Sequence, residues 1–112
     1  MRFDRKEPPR RFRVGLQGQI ELLDCGRVYL EPNELVTFVN DVGKEHDFAA
    51  KDWGFYAAST NGRLKEQGYK TALAKNNDGR IYIMVVDVDR MESFQEYLDV
   101  EKHELLEWLD DR

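Results

Sequence analysis

Hydrophobic and polar residues alternate in the first half of the chain, and this pattern predicts short β-strands. Phe12, Val14 and Leu16 fall on one face of the first such segment and arginines fall on the other, as in a strand with one buried side. Gly, Pro and Asn residues interrupt the pattern at regular intervals. Short strands joined by such turns predict an antiparallel meander. The expected strands cover residues 11–16, 19–24, 27–30, 34–40 and 45–49.

Strand and helix patterns alternate in the second half of the chain. A strand over residues 53–57 leads into a helix of about two turns. Thr60 or Asn61 is expected to cap this helix, because a side-chain oxygen there accepts a bond from a free backbone N–H of the first turn. Gly68 is expected to end it, since Gly adopts the left-handed conformation of many helix ends at little cost. A strand over residues 69–75 follows the helix.

The remaining residues predict a hairpin, a second helix and a final strand. The sequence Asn-Asn-Asp-Gly at residues 76–79 is a strong turn signal, and an unbroken apolar run follows it at residues 81–86. Such a run is typical of a strand covered on both faces, so we expect this strand at the centre of the fold. Asp89 and Glu92 have the spacing of a capping box at the start of a helix. The last strand covers residues 103–109, with a short helix as the alternative.

The second half therefore has the order strand, helix, strand, strand, helix, strand, which is the order of a ferredoxin-like unit. The predicted fold is α+β, with an N-terminal antiparallel β-meander followed by this βαββαβ unit. All strands are expected in a single, mainly antiparallel sheet with two short helices. The length of 112 residues fits one domain. Residues 1–112 are thus expected to form a single α+β domain, with residues 1–10 as a flexible or extended basic arm.

Charge is distributed unevenly along the chain, which has a net charge of −5. Residues 1–13 carry six basic and two acidic side chains, whereas residues 86–112 carry ten acidic and three basic ones. Clustered Lys and Arg can bind phosphate groups, but Asp4 and Glu7 interrupt the basic arm and no nucleic-acid-binding motif is present. Nucleic acid is therefore not expected as a partner. The favoured interpretation is that the arm pairs with the acidic C-terminal region, in the same chain or in a neighbouring subunit.

Cys25 is the only cysteine, which excludes an internal disulfide and a cysteine-based zinc site and favours a reducing compartment. No apolar run reaches the roughly 18–20 residues of a membrane span, and the N-terminus lacks the apolar centre of a signal peptide. The expected location is the cytoplasm, without a membrane partner. His46 and His103 are far apart in the sequence, and zinc needs about three or four ligands, so neither a metal nor a cofactor is expected.

Residues 51–75 contain the densest group of side chains suited to ligand binding. Trp53 and Tyr56 can offer flat faces to a sugar ring or a base, and the start of the following helix favours an anion by roughly 0.3–1 kcal/mol. A sugar- or phosphate-containing small molecule is therefore the expected ligand. The alternative is purely structural, with the aromatic residues in the core and the polar run forming a capped turn. The candidate ligand-binding residues are Trp53, Tyr56, Ser59, Thr60, Asn61 and Arg63.

Motifs assign no catalytic residue. Cys25 and His46 can be considered as nucleophile and base, and His46 with Asp47 or Asp52 as an acid and base pair, but nothing in the sequence brings these residues together. No phosphate-binding Gly-rich loop, nucleophile elbow or dinucleotide fingerprint is present. A non-catalytic role is therefore favoured over an enzyme.

Three segments of the chain resemble a family of small uncharacterised bacterial proteins associated with surface-polysaccharide or nucleotide-sugar biosynthesis gene clusters. These segments are KDWGFYAASTNGRLKEQGYKTALAKN, DCGRVYLEPNELVTFV and FDRKEPPRRF. The resemblance covers most of the chain and implies a sugar phosphate or nucleotide-sugar as ligand, but it implies no catalytic residue. The leading hypothesis is a non-catalytic accessory or ligand-binding protein in polysaccharide biosynthesis. The alternatives are a small acid/base enzyme of sugar metabolism and a protein-interaction module, either a homodimer or an adaptor.

Overall fold

The computed structural model describes residues 1–112. It contains strands and two α-helices, which confirms the α+β class. In chain order the elements are β1 (Arg2–Val14), β2 (Ile20–Tyr29), β3 (Leu35–Val39), β4 (Glu45–Lys51), β5 (Gly54–Ala57), α1 (Arg63–Glu66), β6 (Tyr69–Lys75), β7 (Ile81–Asp87), α2 (Met91–Glu101) and β8 (Glu104–Trp108). Neither α-helix has the length and apolar composition that a bilayer span requires.

The strands form three small antiparallel sheets, with the orders β1-β2, β3-β4-β5 and β7-β6-β8. The second half has the predicted element order, but the single sheet of a ferredoxin-like arrangement is not confirmed, because β5 lies beside β4 and outside the sheet of β6. Only Asp52 and Trp53 separate β4 from β5, and a two-residue connection joins neighbouring antiparallel strands. This short turn assigns β5 to the middle sheet.

The chain divides into two compact units, the first comprising residues 1–36 and 48–56 and the second comprising residues 37–47 and 57–112. The expectation of a single domain stays a prediction. Within the first unit, β1 already begins at Arg2, so the segment expected as an arm belongs to a strand. Its pairing with β2 is interrupted between Arg5 and Arg10. The prolines of β1 fall in this irregular segment, where the missing N–H of proline costs no ladder bond.

β2 is one continuous strand where two had been expected. The predicted turn at Cys25 and Gly26 is wrong, because both residues lie inside β2. Gly26 pairs with Arg5 at the border of the irregular segment, and a glycine inside a strand is typical of such a bulge. The glycine therefore marks a distortion of the ladder and not the end of the strand.

The basic side chains of β1 pair with acidic side chains of the same unit. Exposed ion pairs of this kind contribute little to stability, but they account for the charge of the segment. The expected pairing of this segment with the acidic C-terminal region stays a prediction. The pairs are Arg2 with Asp4, Arg5 with Glu7, Lys6 and Arg10 with Asp24, and Arg11 and Arg13 with Glu21.

β6 is the central strand of the second unit and pairs antiparallel with β7 on one side and β8 on the other. Ala72 and Ala74 of β6 are fully buried. The prediction that the apolar run at residues 81–86 occupies the centre is wrong, because this run forms the edge strand β7. Ile81 and Ile83 remain 59% and 68% exposed. β6 takes the centre because a tight turn joins it to β7 and α2 returns the chain to its other side as β8.

α1 is a single turn of four residues, shorter than expected. The predicted cap at Thr60 or Asn61 is wrong, because Gly62 occupies the N-cap position without a side-chain cap. The Ser59 Oγ instead accepts a hydrogen bond from the backbone N–H of Arg63 at 2.9 Å. Gly68 follows the helix with a φ of +84°, which confirms the predicted end. Ser59 before α1 and Gly68 after it thus define the two ends of this helical turn.

α2 packs on the sheet of the second unit. Leu98 of α2 is 3% exposed, and the ring of Phe94 lies 5.8 Å from the ring of Trp108 in β8, measured between centroids. The predicted cap is shifted by two residues, because the carboxylate of Asp87 accepts the N–H of Asp89 at 2.9 Å. A 3-10 turn over Val88–Arg90 then leads into the helix. The predicted final strand is confirmed by β8.

Candidate functional site

The six candidate ligand-binding residues fall in both units, with Trp53 and Tyr56 in the first and the other four in the second. Trp53 occupies the turn between β4 and β5, and Tyr56 lies on β5. Their ring centroids are 6.3 Å apart and their planes are inclined by 17°. Trp53 is 69% exposed and Tyr56 is 51% exposed, so these rings lie in water and not in a core. A nearly parallel pair of exposed rings can stack on a flat apolar ligand face.

Arg63 is held by two carboxylates of β4 within the second unit. Its Nε donates to Asp47 Oδ2 at 2.6 Å, and a terminal nitrogen donates to Glu45 Oε1 at 2.7 Å. The hydrogen bond from Arg63, followed by one from the Thr37 hydroxyl, lowers the pKa of the Asp47 carboxyl. Two acidic groups therefore surround one guanidinium. An anion at this position would have to compete with both carboxylates, so the arrangement is suited to attaching α1 to β4.

The remaining polar candidates lie in the segment between β5 and α1. The Ser59 hydroxyl accepts the N–H of Arg63, Thr60 is half-buried and Asn61 is exposed. The macrodipole of a helix is the sum of many aligned peptide units, and α1 contains only four residues. Its N-terminus therefore offers much less to an anion than the longer helix expected from the sequence.

The second unit also contains an ion pair that no sequence motif indicates. Lys44 Nζ donates to Asp87 Oδ1 at 2.5 Å and to the Gly68 carbonyl at 3.3 Å, and it lies 3.6 Å from Asp89 Oδ2. The bond to Asp87 raises the pKa of Lys44, and the same bond lowers the pKa of Asp87. The Lys44 ammonium thus links the C-terminal end of β7 to the backbone at Gly68.

His46 and Asp47 do not form the acid and base pair that one hypothesis requires. They are consecutive residues of β4, and consecutive side chains of a strand point to opposite faces. The Asp47 carboxylate is occupied by Arg63 and by the hydroxyl of Thr37, whose Oγ1 lies at 2.7 Å. Burial lowers the pKa of His46 and thereby favours its neutral form. Cys25, the other candidate nucleophile, lies in the first unit and is exposed.

A second histidine lies in an aromatic cluster of the second unit. The His103 ring lies 5.7 Å from the Tyr82 ring and 5.5 Å from the Tyr97 ring, measured between centroids. Its Nδ1 is buried and has no hydrogen-bond partner. Burial, followed by the charge of Glu101 and by Tyr82, raises the pKa of Tyr97. The sequence did not indicate this cluster because β7, α2 and the residue before β8 contribute to it from distant positions.

Apolar side chains also lie exposed on the strands, and two such surfaces are well defined. The first, the β7 edge surface, consists of the exposed Ile81 and Ile83 and the half-buried Leu73. Leu73 pairs with Ile83 across the β6–β7 ladder, and directly opposed residues share one face of a sheet. The backbone of β7 pairs with β6 alone, so its outer edge presents unpaired N–H and C=O groups.

The second surface, the hairpin apolar face, lies on β1 and β2. Phe12 pairs with Leu22 and Val14 pairs with Ile20, so these four side chains share one face. Leu22 is 44% exposed. A two-stranded sheet alone is marginally stable in water, and here its apolar side is only partly covered.

No group of three or more His, Cys, Asp or Glu side chains is arranged to hold a metal ion. Comparisons with protein-family models, with curated proteins and with solved structures gave no match.

Proposed function

We propose that this protein is a protein-interaction module that associates with another polypeptide through its exposed strands. The observation that carries the proposal is the position of β7, the most apolar strand, at an open edge of its sheet with Ile81 and Ile83 exposed. An open edge pairs readily with a further strand through backbone hydrogen bonds. Each Å² of apolar surface that such pairing removes from water adds about 25 cal/mol. The partly covered hairpin apolar face supports the same function.

Gel filtration of clarified extract from cells that make the full chain tests this proposal. A module of this kind elutes in a complex, well above the 13.2 kDa of the single chain, and treatment with denaturant returns it to the single-chain size. Elution of all the protein as a single chain in fresh extract would contradict the proposal, because the apolar strands would then be exposed without a partner.

We propose ligand binding at the Trp53 and Tyr56 rings as a second candidate function, with a sugar as the ligand. The parallel, exposed arrangement of the two rings favours it. The resemblance to proteins of polysaccharide gene clusters suggests a sugar phosphate or nucleotide-sugar as the class of ligand and an accessory role in polysaccharide biosynthesis. Because Glu45 and Asp47 already bind Arg63, the rings rather than the guanidinium would supply the affinity.

Fluorescence titration with nucleotide-sugars and simple sugars tests this second candidate. The chain has two tryptophans, so a Trp108→Phe variant leaves Trp53 as the sole tryptophan reporter. Ligand that stacks on the ring changes this emission, and Tyr56→Ala weakens the titration by roughly fivefold or more, since aromatic stacking is worth about 1 kcal/mol. An Arg63→Ala control binds nearly as well. An unchanged titration in Tyr56→Ala would exclude the ring pair.

A further inference from the structure

We infer that Asn61 is a site of spontaneous covalent modification, at which the backbone nitrogen of Gly62 displaces the side-chain amide and the residue becomes aspartate or isoaspartate. The inference is independent of the proposed function, because it concerns the chemistry of one residue pair within the second unit. It starts from the surroundings of this pair in the segment between β5 and α1.

The side-chain amide of Asn61 is exposed and makes no hydrogen bond. Three other asparagines have an occupied side-chain oxygen. A lysine ammonium donates to Oδ1 of Asn33, and backbone N–H groups donate to Oδ1 of Asn40 and of Asn76. Such bonds fix an asparagine side chain in one orientation. The amide of Asn61 is therefore free to turn toward the backbone that follows it.

A glycine follows Asn61, and none of the other four asparagines precedes one. A Cβ on the following residue hinders the approach of its nitrogen to the asparagine side chain, and Gly62 lacks this atom. Asn77 is also exposed, but it precedes Asp78. The N–H of Gly62 makes no backbone hydrogen bond, so its nitrogen is available as the nucleophile.

The contacts of Ser59 explain why a glycine occupies residue 62. The Ser59 carbonyl accepts the N–H of Leu64 at 3.0 Å and its Oγ accepts the N–H of Arg63 at 2.9 Å, which closes a loop over residues 60–62. A Cβ on Gly62 would lie 2.5 Å from the Ser59 Oγ, well inside the usual contact distance of about 3.5–4.0 Å. The fold thus requires the residue that makes Asn61 reactive.

The reaction balances with water as the co-reactant. The Gly62 nitrogen forms a bond to Cγ of Asn61, the bond from Cγ to Nδ2 breaks, and ammonia leaves with the proton of the Gly62 nitrogen. Water then opens the succinimide ring at either carbonyl, which gives aspartate or isoaspartate and adds a negative charge. Isoaspartate also adds a carbon to the backbone before Gly62, whose carbonyl accepts the N–H of Glu66 at 2.9 Å. The modification therefore changes both the charge and the backbone at the start of α1.

Peptide mapping by mass spectrometry tests the inference on the purified full chain, kept folded at mildly alkaline pH and physiological temperature. Cleavage after Lys51 and Arg63 releases residues 52–63, in which Asn61 is the only side-chain amide. Asn61 converts at least about tenfold faster than any other asparagine and yields isoaspartate together with aspartate. The rate rises with pH, because the attacking nitrogen must lose its proton.

A matched pair of variants isolates the role of Gly62. Ser59→Ala removes the Oγ that a Cβ at residue 62 would meet and leaves the Cβ of residue 59 at 3.4 Å, so that Gly62→Ala fits in this background. Ser59→Ala alone still reacts at Asn61. Ser59→Ala combined with Gly62→Ala reacts at least about tenfold more slowly, because the added Cβ hinders the nitrogen. Circular dichroism confirms that both variants are folded.

Several results would overturn the inference. Conversion of Asn61 no faster than that of Asn77 would exclude the effect of the glycine, as would equal rates in the two variants. Aspartate formed without isoaspartate would show direct hydrolysis by water instead of attack by Gly62. A rate in the folded chain at least about tenfold below the rate in urea would show that the fold protects the pair.

Discussion

The neighbouring strands β6 and β7 show opposite relations between composition and burial. β6 has the sequence YKTALAK, with two lysines and a threonine, yet Ala72 and Ala74 are fully buried. β7 has the sequence IYIMVVD, yet Ile81 and Ile83 are mostly exposed. Position in the sheet, and not hydrophobicity, decides which strand the chain itself covers. The chain itself leaves the apolar strand β7 exposed at the sheet edge. This exposure is the basis for proposing that another polypeptide binds there.

The same substitution in the two strands gives the largest expected contrast. Ala72→Lys places a charge at a position with no exposure, and an unpaired buried charge costs about 4 kcal/mol or more of the free energy of unfolding. Ile83→Lys, at a position that is 68% exposed, changes it by less than about 0.5 kcal/mol. Urea denaturation of both variants measures the contrast. Similar losses in the two variants would contradict the assignment of centre and edge.

Removing the Asp110 carboxylate, which accepts a backbone N–H of β6, has the next largest expected effect on stability. Asp110 Oδ1 accepts the backbone N–H of Thr71 at 3.0 Å, and Asp110 is 8% exposed. Asp110→Ala leaves this buried N–H unpaired and lowers the free energy of unfolding by about 1–3 kcal/mol. The exposed neighbour is the control, since Asp111→Ala removes the same charge without a known bond. Equal denaturation midpoints for the two variants would exclude this role of Asp110.

A threonine in β6 provides a test with the opposite sign. Thr71 is 1% exposed and its Oγ1 has no hydrogen-bond partner, so Thr71→Val removes a buried unpaired hydroxyl and raises the free energy of unfolding by about 1 kcal/mol. In Thr37 the hydroxyl donates to Asp47 at 2.7 Å. Thr37→Val therefore lowers stability by up to about 1 kcal/mol. Thermal melts that show loss of stability in both variants would contradict the environment of Thr71.

Neutralising Asp87, the last residue of β7, has the smallest expected effect on stability. Its bond with Lys44 holds the pKa of Asp87 below the ordinary value of 3.8, so the unfolded chain binds the proton more readily. The stabilising contribution is complete above pH 3.8 and is lost as the pH falls below that value through the pKa of the folded state. Asp87→Asn keeps an oxygen for the Asp89 N–H and removes the charge. Its melting temperature lies below that of the wild type near neutral pH, and the two converge in stronger acid. A difference that persists unchanged below pH 3.8 would contradict the ion pair.

Local sequence determines some elements well and leaves their assembly open. The turn at residues 76–79, the helix end at Gly68 and the final strand β8 depend on residues within a few positions of each other, and all three are found. The place of β5 is also decided locally, by the two residues between β4 and β5, but the interpretation of 53–57 as the start of a βαββαβ unit did not use this turn. The position of β6 between β7 and β8 depends on contacts between distant parts of the chain.

The candidate ligand site likewise combines features that local sequence predicts with contacts that it does not predict. An exposed aromatic pair can be proposed from the spacing of Trp53 and Tyr56 in a turn and strand, although exposure itself is not readable from the sequence. The partners of Arg63 lie on β4, 16 and 18 residues earlier in the chain. No local pattern around Arg63 indicates that two carboxylates neutralise it. The same holds for the cluster around His103.

Amide hydrogen exchange of β7, in the free chain and in the complex isolated from extract, tests the central claim most directly. In the free chain, the inward amides of β7 bond to β6 and exchange slowly, whereas the alternate outward amides exchange fast. In the complex, the outward amides of residues 81–87 become protected, while the amides of β6 change little. Outward amides of β7 that stay unprotected in a sample shown by gel filtration to be the complex would contradict the claim.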